Sequence, residues 1–119
     1  MIELLPETEG NVVGLRIAGE IGASDFEEMP PEFDRIVTNN TDVRIMLDWE
    51  DLAGWTEEGE SVNFFTRISY RKFDIERIAI VGDKKWRREV GMVEEIMGCD
   101  VRMFESVDKE AAWRWLKND

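Results

Sequence analysis

The sequence predicts an α/β domain with a mixed, mostly parallel sheet of about five strands, an N-terminal antiparallel hairpin and about four helices. Three observations predict it. Apolar residues alternate at period two in several short segments, apolar stripes at helical spacing recur between those segments, and the resulting order β-β-α-β-α-β-α-β-α calls for helical crossovers between parallel strands. The 119 residues suffice for one domain, 1–119, to bury a core without disulfides or metals. A composition 43% hydrophobic and 35% charged is that of a folding chain rather than a disordered one.

Ile2 to Leu5 and Val12 to Ala18 are the first two strands, joined by the turn-forming Glu7-Thr8-Glu9-Gly10-Asn11. Val13, Leu15 and Ile17 alternate with Gly14, Arg16 and Ala18, which sets the core face of the second strand. Ser24 followed by Glu27 has the form of a capping box, so a helix starts there, with Phe26, Met29, Phe33, Ile36 and Val37 on one stripe. Pro30-Pro31 interrupts that stripe and predicts a bent or two-piece helix. Asn39-Asn40 ends it, as residues that tolerate left-handed geometry.

Val43 to Trp49 is a buried strand running into the acidic corner Asp48-Trp49-Glu50-Asp51. Thr56, followed by Glu57 and Glu58, is the N-cap of a helix to about Lys72 with a broad apolar arc of Val62, Phe64, Phe65 and Ile68. Ile75 to Val81 is the next strand, and Gly82-Asp83 turns it into a helix from about Lys84 to Met97. Trp86, Val90, Val93, Ile96 and Met97 line the buried face of that helix, and Gly98 caps its end. Asp100 to Phe104 is the last strand. Asp108 then caps a final helix holding Ala111, Ala112, Trp115 and Leu116.

Charge narrows the partners. The net charge is −12, and residues 1–60 hold 3 basic and 16 acidic side chains against 12 and 11 in residues 61–119. Such an acidic chain repels phosphate backbones, so nucleic acid is not an expected partner. The stretch from Arg67 to Arg88 is locally basic and leaves room for an electropositive face. Met1 to Glu7 has neither a basic n-region nor an apolar run, and no segment approaches the length of a spanning helix, so neither signal peptide nor anchor is expected. One cysteine, Cys99, cannot form an internal disulfide, which makes the reducing cytoplasm the default location and Cys99 a small buried residue.

Three blocks carry a family resemblance: Asp48 to Thr56, ending in Gly54-Trp55-Thr56; Arg77-Ile78-Ala79-Ile80-Val81-Gly82-Asp83-Lys84-Lys85-Trp86; and the closing Ala112, Trp115 and Leu116. Through them the chain resembles the SpoIIAA-like family, small domains of STAS-type fold that are also compared with the CRAL-TRIO lipid-binding domain. The likeness spans essentially the whole chain. It implies an α/β, STAS/SpoIIAA-like fold whose first two strands are antiparallel, and it implies no established enzyme activity. STAS-type anti-sigma factor antagonists carry a phosphorylatable serine in an Asp-Ser-Ser/Thr-Gly type motif after the central strand. The corresponding region here, Asp48 to Thr56, departs from that motif, so the phosphosite is not carried over.

Several residues are candidate sites. Asp48, Glu50 and Asp51 converge at the end of a strand, where Mg²⁺ would find hard oxygen ligands, but without a phosphate-binding loop or any histidine a solvated turn is preferred and no metal is assigned. Lys84 and Lys85 open a helix after a strand and are candidates for an anion or lipid headgroup, although the glycine spacing of a phosphate loop is missing. Phe26, Met29, Phe33, Trp55, Phe64, Phe65 and Ile68 would frame an apolar pocket with the Pro30-Pro31 helix as a movable flap; the plainer reading is a filled core. Trp113 and Trp115 lie about 200° apart on an ideal helix, so both cannot face the sheet. Trp113 is the candidate interface residue.

Without histidine the common nucleophilic triads are unavailable, and no catalytic set or cofactor motif stands out. The leading expectation is a non-catalytic binding module for a small apolar or lipid-like ligand, or one that touches a membrane surface peripherally. The alternative is a protein-interaction or regulatory module acting as a homodimer or through an anti-sigma-type partner, without a switch serine. An enzyme using carboxylates, lysines or Tyr70 comes third.

Overall fold

The hairpin forms as the alternation requires. In the computed structural model, which describes residues 1–56 and 74–118, β1 (Ile2–Leu4) and β2 (Val12–Ile17) pair antiparallel, with Leu4 opposite Leu15. β2 leads to β3 (Gly19–Ile21), then to a helix broken as the two prolines dictate: α1 (Ala23–Glu27) stops short of Pro30, and α2 (Pro31–Asn39) starts with Pro31 in its first turn, where a missing N–H costs nothing. β4 (Val43–Asp48), β5 (Leu52–Trp55) and β6 (Ile75–Val81) follow, then a 3₁₀ turn (Lys84–Trp86) that opens α3 (Arg87–Met97). β7 (Asp100–Phe104), a second 3₁₀ turn (Ser106–Asp108) and α4 (Lys109–Lys117) complete the order. The helix expected to follow Thr56, to about Lys72, lies outside the described residues.

The main sheet runs β1-β2-β4-β6-β7, and every pairing after the hairpin is parallel. Both of its faces are covered, as parallel sheets require, so all six residues of β4 are buried. One face carries Val13, Leu15, Ile17, Ile45, Leu47, Ile78 and Ile80 against Phe26, Phe33 and Val37 of the first helices and Val90, Val93 and Met97 of α3. The other carries Val12, Met46, Ala79 and Val81 against Ala112, Trp113 and Leu116 of α4.

Several local expectations are corrected. β3 and β5, which the periodicity of the sequence does not anticipate, pair parallel as a small second sheet, with Ile21 opposite Trp55. The first helix is capped at Gly22 rather than Ser24; Asp25 takes the place given to Glu27, its Oδ2 accepting the Gly22 N–H at 2.9 Å. Asn40 is extended, not left-handed, and stops α2 by donating its side-chain amide to the Ile36 carbonyl at 2.8 Å. Gly98 does adopt the left-handed conformation that ends α3, at φ 66°. Cys99 is half-buried rather than buried.

Trp113 is the clearest reversal. It is 9% exposed and packs on the sheet, while Trp115 is the half-buried member of the pair. The physical reason lies in β2: a Cβ on Gly14 would stand 2.7 Å from Trp113 Cη2, so the bare glycine makes the slot that the indole fills. The C-terminal end of α4 is then fixed by two arginines facing each other across β4 and β6. Arg44 Nη1 donates to the carbonyls of Leu116 (2.7 Å) and Asn118 (2.9 Å), and Arg77 Nη1 to those of Trp115 (2.7 Å) and Asn118. Their positive charge sits where the helix dipole is negative.

Candidate functional site at the carboxyl edge of the sheet

Because β4, β6 and β7 are parallel, the segments that follow them emerge on one edge, the place where open α/β sheets take ligands. There Glu50, Gly82 to Lys84 and Glu105 to Val107 enclose an open cleft of about 500 Å³. Behind the lining residues Glu50 and Gly82 lies Trp49, whose backbone N–H donates to the Val81 carbonyl at 2.7 Å and whose indole meets Trp55 and Trp86 edge-on, with centroids 5.5 and 6.4 Å away. Gly82 passes directly over Trp49: a Cβ there would lie 3.2 Å from Trp49 Cβ.

The charges of the edge are largely spent on one another. Asp48, 4% exposed, accepts the Glu50 N–H on Oδ1 (3.0 Å) and Lys109 Nζ on Oδ2 (2.8 Å); Lys109 also stands 3.6 Å from Glu50 Oε1. Burial alone would lower the Lys109 pKa, but the bond to Asp48 and the fields of Asp48 and Glu50 outweigh it and raise the value above 10.5. Lys84 pairs with Glu105 at 3.3 Å, and Asp83 Oδ1 accepts the Lys85 N–H at 2.8 Å, as a capping aspartate should.

The three acids expected to converge do not. Asp48 and Glu50 close on Lys109, whereas Asp51 turns to Arg16 at 2.8 Å, which also holds Glu3 at 2.7 Å. Among the described residues no group of three potential ligands could hold a metal. Of the two lysines expected to meet an anion, Lys84 lines the cleft while Lys85 lies over the Trp86 ring, 5.2 Å from its centroid. Phe26 and Phe33, at 5% and 1% exposure, are in the main core, and Met29 and Trp55 are half-buried against it. Phe64, Phe65 and Ile68 lie outside the described residues.

Sequence reasoning missed Lys109, Glu105 and Val107. For Lys109 a signal existed: a cation in the first turn of a helix opposes the dipole and suggests a specific anionic partner. Nothing in the sequence marks Val107, which is 85% exposed on the cleft wall.

A family model described as SpoIIAA-like matches residues 12–117. A search of curated proteins gives no match. Among solved structures, an uncharacterized protein of the DUF3478 family with a SpoIIAA-like fold, from Shewanella loihica PV-4, superposes with a TM-score of 0.76 at 16% identity, over 98% of this chain and 92% of that one. The Bacillus cell fate determinant SpoIIAA in its phosphorylated form gives 0.61 at 14% identity, over 97% of this chain and 99% of its own. With its matched span reaching from β2 through α4, the chain belongs to the SpoIIAA-like family.

Proposed function

We propose that the chain is a non-catalytic regulatory module that engages a protein partner through the carboxyl edge of its parallel strands. The observation that carries this reading is the combination at that edge of mutually committed charges with an exposed apolar residue. Asp48, Glu50 and Lys109 neutralise one another, Lys84 and Glu105 do the same, and Val107 stands out from the wall beside them. An acid or base needs a group poised to exchange a proton with substrate. A contact surface needs an apolar centre with a polar rim, which is what these residues offer.

The apolar-ligand alternative draws less support, because Phe26 and Phe33 are spent in the main core. A half-buried single thiol suits a reducing cytoplasmic setting, and no helix among the described residues is long and apolar enough to cross a membrane. A photo-crosslinking residue at position 107, introduced in the native cell, tests the proposal. A discrete protein adduct that is lost on Glu105→Lys supports it. A chain that yields no adduct but purifies with bound lipid overturns it in favour of the apolar-ligand reading.

A further inference from the structure

The main sheet ends at β7, which among the described residues pairs with β6 alone. Of the usual protections its outer edge carries charged side chains, Asp100 and Arg102, but neither proline nor bulge. The segment 100–104 contains no proline, its pairing with β6 has no bulge, and its core-side residues Val101 and Met103 are apolar. Beside it an open groove of about 280 Å³ runs between α3 and β7, where Met103 and Phe104 are half-exposed. The direction of the free groups follows from one bond. Gly82 N–H donates to the Phe104 carbonyl at 3.0 Å, so the polar groups of Phe104, Arg102 and Asp100 turn toward β6 and those of Val101 and Met103 point outward.

We infer that this edge pairs antiparallel with β7 of a second copy, about a two-fold axis through Val101. In that register Val101 faces Val101 of the second copy, and their outward amides and carbonyls exchange two hydrogen bonds. Cys99 faces Met103, an apolar pair on the α3 side. Asp100 faces Arg102 twice, at the non-hydrogen-bonded positions where side chains approach most closely. The charge pattern selects this register. An axis through Arg102 would set two guanidiniums against each other, and one through Met103 would set Val101 against Glu105 and Arg102 against Phe104. Within one chain Asp100 and Arg102 are half-exposed and 3.7 Å apart at their closest charged atoms, a loose pair, and the Arg102 guanidinium lies over the Trp115 ring, 4.7 Å from its centroid, a contact made by its face that does not use its N–H donors. An interface of this kind is self-complementary, as a two-fold dimer demands.

Light scattering after size exclusion tests the inference on the full chain. The expected mass is twice 13.9 kDa. Arg102→Glu replaces two attractions with two repulsions and should weaken the dimer about tenfold or more. The swap Asp100→Arg with Arg102→Asp keeps each Asp opposite an Arg and should restore it. Independently, Val101→Cys in a Cys99→Ser background should give an oxidised, covalently linked dimer, because facing Cα atoms about 5.5 Å apart lie within disulfide reach; Arg102→Cys in the same background should not. Monomeric mass at all concentrations overturns the proposal. So does a dimer indifferent to Arg102→Glu, or one that the swap fails to restore while the circular dichroism is that of the folded protein.

Discussion

Gly14→Ala should destabilise the protein by about 1–2 kcal/mol, although alanine is ordinarily the better strand residue. Gly14 has no left-handed geometry to protect, so loss of chain entropy in the unfolded state would favour the variant by about 0.4–1 kcal/mol. Against that, the new Cβ would sit 2.7 Å from Trp113 Cη2, 2.9 Å from Leu5 Cδ1 and 3.0 Å from Leu5 Cβ, where carbon atoms prefer about 3.5–4.0 Å. The tip of the indole can tilt. Leu5 Cβ cannot retreat without its backbone, and the Leu5 N–H is bonded to the Gly14 carbonyl at 2.8 Å. Overpacking of this kind costs about 1–3 kcal/mol, which leaves the stated net loss. Urea unfolding followed by tryptophan fluorescence measures it, and Trp113→Phe alone and combined with Gly14→Ala closes a double-mutant cycle with a coupling of about 1 kcal/mol. A Gly14→Ala protein as stable as wild type would refute the claim that this glycine seats Trp113.

Three further outcomes follow from the buried charges and the thiol. Desolvation pushes the Cys99 thiol from 9.0 up to about 11, so at pH 8 it should react with a disulfide reagent about a hundredfold more slowly than an ordinary thiol until denaturant is added; rapid labelling of the native chain would contradict this. Arg44→Lys cannot supply the fork that reaches Leu116, Asn118 and Glu76 together, and should cost about 2–4 kcal/mol with faster hydrogen exchange in the last turn of α4. Lys109→Met should cost about 1–3 kcal/mol at neutral pH, because it strips Asp48 of its cation while the partly exposed lysine moderates the loss. The sign with pH is fixed. Lys109 has a raised folded pKa, so its contribution is whole below 10.5 and disappears as pH climbs through the folded value. Wild type and Lys109→Met should therefore converge in stability in strong alkali and stay parallel from neutral pH up to that range.

The elements legible in the sequence are those whose periodicity is written over many residues or punctuated by proline and glycine. β2, β4 and β6 each carry at least four apolar positions, Pro30-Pro31 breaks the first helix at any tertiary environment, and Gly98 supplies a conformation few other residues accept. β3 and β5 were hidden because three- and four-residue strands show no alternation long enough to detect, and each contains a glycine and a polar or small neighbour. Their pairing is decided by the long connection between them. The two tryptophans of α4 illustrate a different limit. Helical geometry says that one faces away, but Ala112, Trp113 and Leu116 form as good a stripe as Ala112, Trp115 and Leu116. What decides between them is an absent side chain almost a hundred residues earlier, at Gly14. The site was legible as a place, the end of β4 and the turn after β6, but not as a pairing scheme, because the distance from Asp48 to Lys109 along the chain hides their ion pair.

The two proposed surfaces have different directions, and this constrains what an assembly can do. The cleft lies at the carboxyl edge of the parallel strands, whereas the pairing edge is the flank of β7, which ends at Phe104 just before Glu105 enters the cleft. Antiparallel pairing of β7 with its copy reverses the strand direction, so the two carboxyl edges of a dimer point to opposite ends. Two clefts so placed cannot close together on one flat partner and gain the effective concentration that a shared face would give. They suit bridging, one partner at each end. Binding at the cleft and pairing at β7 should accordingly be separable. Glu105→Lys should abolish partner crosslinking from position 107 and leave the dimer mass unchanged, and Arg102→Glu should break the dimer while each monomer keeps its partner. Loss of both properties by either substitution would mean that the two surfaces are one.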